Sequence, residues 1–422
     1  PGYDKYPVFS PDDSMLAFTS MERAGNESDK SRLFVETLAT GEKRYLTRNF
    51  DYNAGNVRWD GNGTLYFIAP VRGTYQVCRV DLADDSVRVL TAGAHDVNAI
   101  TLNGGELVGE VTSLSAPTEL FRIDPADGTM TRITNTNPEI YDHIRMGEVR
   151  ERWIRTTDGR QMLTWVVLPP DFDSTERYPA LLYCQGGPQS VVSQFWSYRW
   201  NLQLMAAQGY VVVAPNRRGV PSFGQQWLDQ ISGDYSGQNI RDYLSAIDDV
   251  AAEPWVDGGR LGCVGASYGG YSVFFLAGHH QKRFKAFIAH CGMFNLESMY
   301  GATEELWFPN NDLGGPYWSD DTTAQRSYAN SPHKFVKNWD TPILIFSGQG
   351  DFRIPYTESL QAFTAARLMG VPSRLVSFED EAHQIFKPQN SLVWNREFFG
   401  WLDKYLKHTE TDSAQSPDSS KR

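Results

Sequence analysis

The stretch LGCVGASYGGYSVFF, residues 261–275, places Ser267 between two glycines, after one apolar run and before another. A Gly-x-Ser-x-Gly pattern alone is weak, since it occurs by chance about 0.1 to 0.2 times in a chain of this length. Its position between a predicted strand and a predicted helix is typical of the sharp turn that lifts a nucleophilic hydroxyl above a parallel sheet. Glycines on both sides allow that turn without a Cβ clash. A serine that only caps the following helix is the alternative interpretation.

The sequence around this turn alternates between apolar strands and amphipathic helices from Arg150 onward. Helical stretches such as NIRDYLSAIDDVAAE and VWNREFFGWLDKYLK separate the strands. The pattern predicts an α/β domain with a doubly wound, mostly parallel sheet covered on both faces, the arrangement of the α/β-hydrolases. The predicted strands are WVVLPP (165–170), PALLYCQ (179–185), YVVVAPN (210–216), RLGCVGA (260–266), KAFIAHC (285–291), PILIFSG (342–348) and SRLVSF (373–378).

A serine hydroxyl needs a base to take its proton, and that base needs a carboxylate to orient it. In α/β-hydrolases the acid and then the histidine follow the serine along the chain. Asp351 comes directly after PILIFSG and His383 follows SRLVSF, so both are predicted to be catalytic with Ser267. The competing carboxylates lie too near His383 in sequence to approach it from a neighbouring strand, and the other histidines of this region are interpreted as structural. These residues are Glu379, Asp380, Glu381, His279, His280 and His290.

Acyl transfer also needs donors for the developing oxyanion. The backbone N–H of Tyr268 is one candidate. The loop Gln185-Gly186-Gly187-Pro188, which ends the PALLYCQ strand, is a second source. A plain glycine turn is the alternative interpretation of that loop.

The first 140 or so residues repeat a different pattern, with pairs of short apolar runs joined by Asp, Gly and Asn turns. This pattern is typical of β-hairpins. The repeats end at Thr47, Thr91 and Thr134, a spacing of one four-stranded propeller blade. Three blades fall short of the roughly four to eight of a closed propeller, so the portion is predicted to be truncated, with further blades on its N-terminal side. An unrelated meander of strands is the alternative.

The predicted organisation is therefore a partial all-β propeller domain over residues 1–145, an α/β-hydrolase catalytic domain over 146–408 and a disordered tail over 409–422. The tail is polar, rich in Ser and Asp and poor in aromatic residues, so it has little apolar surface to bury. The chain opens with PGYDKYPVF, which suggests a processed N-terminus and leaves the compartment undetermined.

Composition limits the classes of partner. A net charge of −12 without clustered Lys or Arg argues against a nucleic-acid surface, and no apolar run is long enough to span a membrane. The four cysteines have no metal-binding spacing, so no metal or other cofactor is expected. The oligomeric state is not determined, and a homodimer is left open.

Repeated blades followed by GGPQS, PNRRGVPSFG, GASYGGY, GQGDFRIP and EAHQIFKPQN resemble the prolyl oligopeptidase family of serine peptidases, in particular its acylaminoacyl-peptidase and bacterial dipeptidyl-peptidase 5 branch. The resemblance implies a propeller that covers the catalytic cleft and admits short peptides. It implies the triad Ser267, Asp351 and His383, and it favours a periplasmic location.

By this resemblance Tyr268 and Gly187 supply the oxyanion donors, because the tyrosine that related proline-specific enzymes use there is replaced by Gln185. Arg353 matches an arginine that binds a substrate carbonyl; a surface salt bridge is the alternative. The aromatic residues expected to line the pocket for the side chain before the scissile bond are Tyr271, Phe294, Trp307 and Phe308.

The leading functional hypothesis is a serine peptidase that hydrolyses short peptides and releases N-terminal dipeptides with Ala or a hydrophobic residue before the cut. An acylaminoacyl-peptidase or oligopeptidase shares the same chemistry, as does a carboxylesterase, although esterases rarely carry a propeller. A non-catalytic propeller binding protein is disfavoured by the complete triad.

Overall fold

The computed structural model describes residues 2–407, so the predicted tail at 409–422 lies outside the described residues. The N-terminal portion forms three antiparallel sheets, each built from four strands that are consecutive in the chain. Every hairpin predicted from the turn pattern is formed. The strands are β1 (Asp4–Phe9), β2 (Met15–Ser20), β3 (Arg32–Thr37) and β4 (Glu42–Tyr45) in the first sheet, β5 (Gly55–Asp60), β6 (Thr64–Val71), β7 (Thr74–Asp81) and β8 (Ser86–Val89) in the second, and β9 (Asp96–Asn103), β10 (Glu106–Ser113), β11 (Ala116–Ile123) and β12 (Met130–Arg132) in the third.

The threonine that ends each sequence repeat makes the same hydrogen bond in all three sheets. The hydroxyl of Thr47 accepts a hydrogen bond from the backbone N–H of a residue 14 positions earlier, at 3.0 Å. Thr91 and Thr134 do the same at 2.9 Å, again across 14 positions. The hydroxyl satisfies a strand N–H beyond the last ladder pair, which explains why the repeats end on this residue type.

The C-terminal portion contains one eight-stranded sheet in the order β13-β14-β16-β15-β17-β18-β19-β20. The three strands at one edge pair antiparallel and the others pair parallel. All seven predicted apolar runs form strands. The bounds are β13 (Val149–Arg155), β14 (Gln161–Val167), β15 (Tyr178–Cys184), β16 (Val211–Pro215), β17 (Val256–Ala266), β18 (Phe284–His290), β19 (Ile343–Gly348) and β20 (Ser373–Phe378).

β13 was not predicted from the sequence. It reads VRERWIR, and only one of its residues is buried because it lies at the edge of the sheet. A strand with so many charged residues has no apolar run to reveal it, and edge positions tolerate such side chains.

Helices cover both faces of this sheet. One buried cluster packs α4, α5 and α9 on one face, and a second packs α2 and α10 on the other. No helix within residues 2–407 combines the length and apolar character needed to cross a membrane. The helices are α1 (Pro138–Tyr141), α2 (Leu202–Ala207), α3 (Gln225–Asp229), α4 (Gln238–Ala251), α5 (Tyr268–Ala277), α6 (Leu296–Tyr300), α7 (Trp307–Asp312), α8 (Thr322–Ala329), a 3-10 helix (Pro332–Asn338), α9 (Tyr356–Leu368) and α10 (Pro388–Leu406).

The two portions make both apolar and polar contacts. The Oδ2 of Asp96, at the start of β9, accepts a hydrogen bond from the Ser193 hydroxyl at 2.6 Å. The backbone N–H of Gly73 donates to the Ser222 hydroxyl at 2.6 Å. These contacts join the second and third small sheets to loops that leave the carboxyl ends of β15 and β16.

Candidate active site

Ser267 stands at the turn between β17 and α5, where the backbone takes a left-handed conformation with φ of 60°. Its N–H donates to the carbonyl of His290 at 2.9 Å. A Cβ on Gly269 would lie 2.0 Å from the Cys184 carbonyl oxygen, and one on Gly265 would lie 2.6 Å from the Gly269 carbonyl oxygen. Both flanking positions therefore require glycine, because β15 and the turn pass too close for any side chain.

The structure brings Ser267, His383 and Asp351 together. Nε2 of His383 lies 3.0 Å from the serine Oγ, and Nδ1 lies 2.7 Å from Oδ2 of Asp351. The other oxygen of Asp351 accepts the backbone N–H groups of Arg353 and Ile354, each at 3.0 Å. An ionised carboxylate only accepts hydrogen bonds, so Nδ1 donates to Asp351 and Nε2 is left to accept the serine proton.

The electrostatic surroundings favour the charged form of His383. Burial lowers the pKa of His383, but the Cys291 sulfur and the Asp351 carboxylate outweigh that effect and raise the pKa above its usual value. The Cys291 sulfur also lies 3.4 Å from the His383 carbonyl oxygen. The site is therefore arranged to stabilise an imidazolium ring.

Glu381, one of the competing acids near His383, has a structural role. Its carboxylate accepts the N–H groups of Phe386 at 3.1 Å and Lys387 at 2.9 Å, at the entry to α10. The Gly350 N–H in turn donates to the Glu381 carbonyl at 2.9 Å, which ties the loop carrying Asp351 to the loop carrying His383. Glu381 therefore supports the backbone of the loop that carries His383.

Two of the other histidines pack in the interior. His290 is buried, and burial first, then the charges of His383 and Arg199, lower its pKa to about 3. His280 is also buried, with a pKa of about 4, and its Nδ1 accepts the Phe284 N–H at 3.1 Å. Both rings are neutral at ordinary pH.

The two predicted oxyanion donors belong to different segments that line the same cavity as Ser267. Tyr268 is the first residue of α5, so its N–H has no acceptor within the helix. The Gly186-Gly187 loop crosses directly above the turn: a Cβ on Gly186 would lie 3.5 Å from that of Ser267, and Gly187 has a φ of 53°. The loop therefore needs glycine for close approach.

A cavity of about 630 Å³ surrounds Ser267 and His383. Four of the predicted oxyanion and substrate-binding residues line this cavity, namely Gly187, Tyr268, Arg353 and Phe308. Arg353 is half-exposed and ion-paired with Glu304 at 3.3 Å and Glu305 at 3.2 Å, so the cavity contact and the surface salt bridge occur together.

The structure does not bring the other three aromatic residues to the cavity. Tyr271 and Phe294 are almost fully buried in the core cluster that packs on α5. Trp307 is 45% exposed and makes an edge contact with Tyr3, at 5.4 Å between ring centroids. Apolar side chains that do line the cavity with Phe308 include Met293, Met299 and Ile354. Large rings gain most from complete burial, so their presence in the sequence does not show which way they face.

Several lining residues were not predicted. Glu27 reaches the cavity from the loop between β2 and β3, and Gln189 and Arg199 reach it from the segment after the glycine loop. Glu27 also lines an adjoining cavity of about 270 Å³. No local sequence signal marks these side chains, because their place depends on how distant segments dock.

One group of side chains has metal-ligand chemistry. The ligand atoms of Cys291, Asp351 and His383 lie within 4.8 Å of one another. Two of these residues already bind each other through a hydrogen bond. A metal held by all three would compete with that hydrogen bond.

The geometry can be compared with known proteins. A relative from Porphyromonas gingivalis called dipeptidyl-peptidase 5 is 53% identical over 409 residues, which are 96% of this chain and 60% of the relative. A dipeptidyl-peptidase 5 from Schizosaccharomyces pombe is 30% identical over 97% of this chain and 60% of its own. The chain thus spans about 60% of the length of these curated relatives.

Among solved structures, the acylaminoacyl peptidase of Pyrococcus horikoshii matches with a TM-score of 0.85 at 22% identity, over 98% of this chain and 64% of that one. Dipeptidyl peptidase 4 of Porphyromonas gingivalis matches with a TM-score of 0.75 at 19% identity, over 94% of this chain and 55% of that one.

The fold is that of an α/β-hydrolase domain preceded by a propeller-like β domain, as in these neighbours. Residues 196–409 match the sequence profile described as the prolyl oligopeptidase family. This chain belongs to the prolyl oligopeptidase family, which confirms the resemblance drawn from its motifs.

Proposed function

We propose that this chain is a serine peptidase that releases dipeptides from the free N-termini of short peptides. The observation that carries the chemistry is the hydrogen-bonded chain from Ser267 through His383 to Asp351. Family membership and the relatives called dipeptidyl-peptidase 5 support the same activity.

In the proposed mechanism Ser267 attacks the scissile carbonyl while His383 takes its proton at Nε2. Asp351 holds the ring in the required tautomer and stabilises the imidazolium. The N–H groups of Tyr268 and Gly187 stabilise the oxyanion. His383 then protonates the leaving amine, and water releases the acyl group by the reverse sequence.

The apolar part of the cavity lining supports an Ala or hydrophobic residue before the scissile bond. Met293, Met299 and Phe308 supply flexible and apolar surface. Methionine side chains adapt to ligands of different shape, so we expect tolerance among apolar residues. Arg353 is proposed to bind a substrate carbonyl once it exchanges its contacts with Glu304 and Glu305.

Dipeptide length is proposed from Glu27. Its carboxylate lines the cavity from the N-terminal portion and forms no ion pair within residues 2–407. An unpaired carboxylate at the end of the cavity favours a charged α-amino group and disfavours an acylated one. This feature favours dipeptide release over acylaminoacyl-peptidase activity.

We further infer that the three small sheets are blades of a propeller, with the division between the two domains near residues 145 and 146. The first strand of each sheet contacts the first strand of the next, β1 with β5 and β5 with β9. Such contacts are expected when inner strands surround a central axis.

The first test is labelling of the chain by a fluorophosphonate probe. We expect labelling of the wild type and of Ser245→Ala, a serine variant on α4 away from the cavity, and loss of labelling in Ser267→Ala and His383→Ala. Turnover should fall by about 10³-fold or more in Ser267→Ala. A folded wild-type chain that does not react would contradict the proposed nucleophile.

The second test separates the peptidase classes. Matched peptides with free and acetylated N-termini are incubated with the wild type and with Glu27→Gln. Release of dipeptides from free peptides only, with the preference weakened in Glu27→Gln, supports the proposal. If acetylated residues are released from acetylated peptides faster than dipeptides are released from free peptides, the chain is instead an acylaminoacyl-peptidase.

A further inference from the structure

Arg199 places a positive charge at the active-site cavity. Its side chain lines the cavity and is exposed, and within residues 2–407 the guanidinium forms neither an ion pair nor a hydrogen bond. The backbone N–H of Arg199 donates to the Ser197 hydroxyl at 3.2 Å. Partial burial lowers the pKa of Arg199, so the charge would gain from an anion.

The guanidinium of Arg199 lies over the aromatic ring of Phe386, at 5.2 Å from the ring centroid. Phe386 follows His383 by three residues. Arg199 also acts electrostatically on His290, together with His383. The arginine therefore lies on the same side of the cavity as the histidine loop.

The cavity has two distinguishable ends. Glu27, Gln189 and Phe308 line both this cavity and the adjoining one, so they mark one end. Gln384 and Ile385 line the main cavity only, as does Arg199. Glu27 therefore marks the acidic end, where the two cavities adjoin, and Arg199 marks the side of the histidine loop, which we call the basic end; Ser267 lines the same cavity.

The catalytic mechanism determines which end of a bound peptide lies at each end of the cavity. His383 gives its proton to the leaving amine, so the leaving group departs beside the histidine loop. Because this is the basic end, we propose that Arg199 binds the C-terminal carboxylate of a leaving group of one or two residues. The substrates are then tripeptides and tetrapeptides with a free amine and a free carboxylate. This inference rests on the proposed dipeptide release.

A guanidinium presents paired N–H donors that match a carboxylate, and such charge-assisted bonds are stronger than neutral ones. The carboxylate is bound equally in the ground state and the transition state. Its loss should therefore raise KM and leave kcat little changed.

The test uses one tripeptide and one tetrapeptide, each prepared as the free acid and as the C-terminal amide. Chromatography of the released dipeptide gives the rate of hydrolysis for each form. For the wild type we expect kcat/KM to favour at least one free acid over its amide by about tenfold or more. Arg199→Gln should reduce that ratio to near one through KM, and Arg199→Lys should retain part of it. The matched control is Arg396→Gln, an exposed arginine on α10 outside the cavity, and it should keep the wild-type ratio.

The outcomes separate this inference from the proposed function. Equal hydrolysis of acids and amides by the wild type overturns the carboxylate site while dipeptide release stands. An equal loss on acids and amides in Arg199→Gln also overturns it, because a structural defect would not distinguish the two ends of a peptide. If no peptide yields a dipeptide, the proposed function fails and this inference fails with it.

Discussion

Asp351 is one of the two groups that raise the pKa of His383, the proposed catalytic base. Its side chain is fully buried, and each of its oxygens accepts a hydrogen bond. Burial lowers the pKa of His383, but the Cys291 sulfur and then the Asp351 carboxylate outweigh burial and raise it. A base accepts a proton only when neutral, so activity should be lost as the pH falls through this raised pKa.

The residue-scale prediction is that Asp351→Asn lowers kcat by roughly 10⁴-fold, because the amide can favour the wrong tautomer. The acid limb of the residual kcat/KM profile should also move to lower pH, since one source of the raised pKa is gone. Initial rates between pH 5 and 10 measure both effects.

The control for this prediction is Glu379→Gln, which removes an exposed acid near the same histidine in sequence. This variant should show the same acid limb of the kcat/KM profile as the wild type. An unchanged limb in Asp351→Asn would mean that another group controls the titration of His383.

At the scale of elements, the glycine loop depends on a buried arginine. Nη1 of Arg217 donates to the Pro188 carbonyl at 2.5 Å, and its Nε donates to the Tyr243 hydroxyl at 3.2 Å. The guanidinium lies 4.7 Å from the ring centroid of Tyr268, the first residue of α5. One side chain therefore connects both segments that carry the predicted oxyanion donors, Gly187 and Tyr268.

We predict that Arg217→Met lowers kcat by about 10- to 100-fold, because a displaced oxyanion donor weakens transition-state stabilisation. The unpaired Pro188 carbonyl should also cost about 1 to 3 kcal/mol of unfolding free energy. Steady-state kinetics on folded protein and thermal unfolding measure the two effects separately.

Arg241→Met, at an exposed position on α4, is the matched control and should change neither quantity. A loss of stability in Arg217→Met with an unchanged kcat would assign Arg217 a purely structural role.

At the scale of the whole molecule, the two portions meet at a carboxyl group removed from water. Asp96 is 1% exposed; its Oδ1 accepts the Tyr75 N–H at 3.0 Å and its Oδ2 accepts the Ser193 hydroxyl. Burial raises the pKa of Asp96 to about 6, and the hydrogen bonds only partly offset that effect. The folded state therefore holds this proton more tightly than the unfolded state does.

The stability contributed by this group is fully present below the unfolded pKa of about 4 and is lost as pH rises through 6. Asp96→Asn should remove this pH-dependent contribution to stability. The difference in unfolding free energy between the variant and the wild type should therefore change by about 3 kcal/mol between pH 4 and 7. Denaturant titrations across this range measure it, and a constant difference would count against the interface carboxyl.

Much of this protein follows from local sequence. Alternating apolar runs and amphipathic stretches predicted seven of the eight strands of the large sheet, because buried parallel strands need continuous apolar side chains. The order of the candidate triad followed from where each residue stands relative to a strand end, since parallel strands present their carboxyl ends at one edge. Thr47 and its two counterparts marked the repeats because one hydroxyl meets one strand N–H in each sheet.

Tertiary structure alone decided which side chains face the cavity. Phe308 lines it and Phe294 does not, although both lie in one aromatic stretch, because the packing on α5 determines which ring is buried. Glu27 and Arg199 stand 172 positions apart in the numbering and line the same cavity. Their meeting depends on the docking of the small sheets against the large one, and no local pattern of residues encodes such a contact.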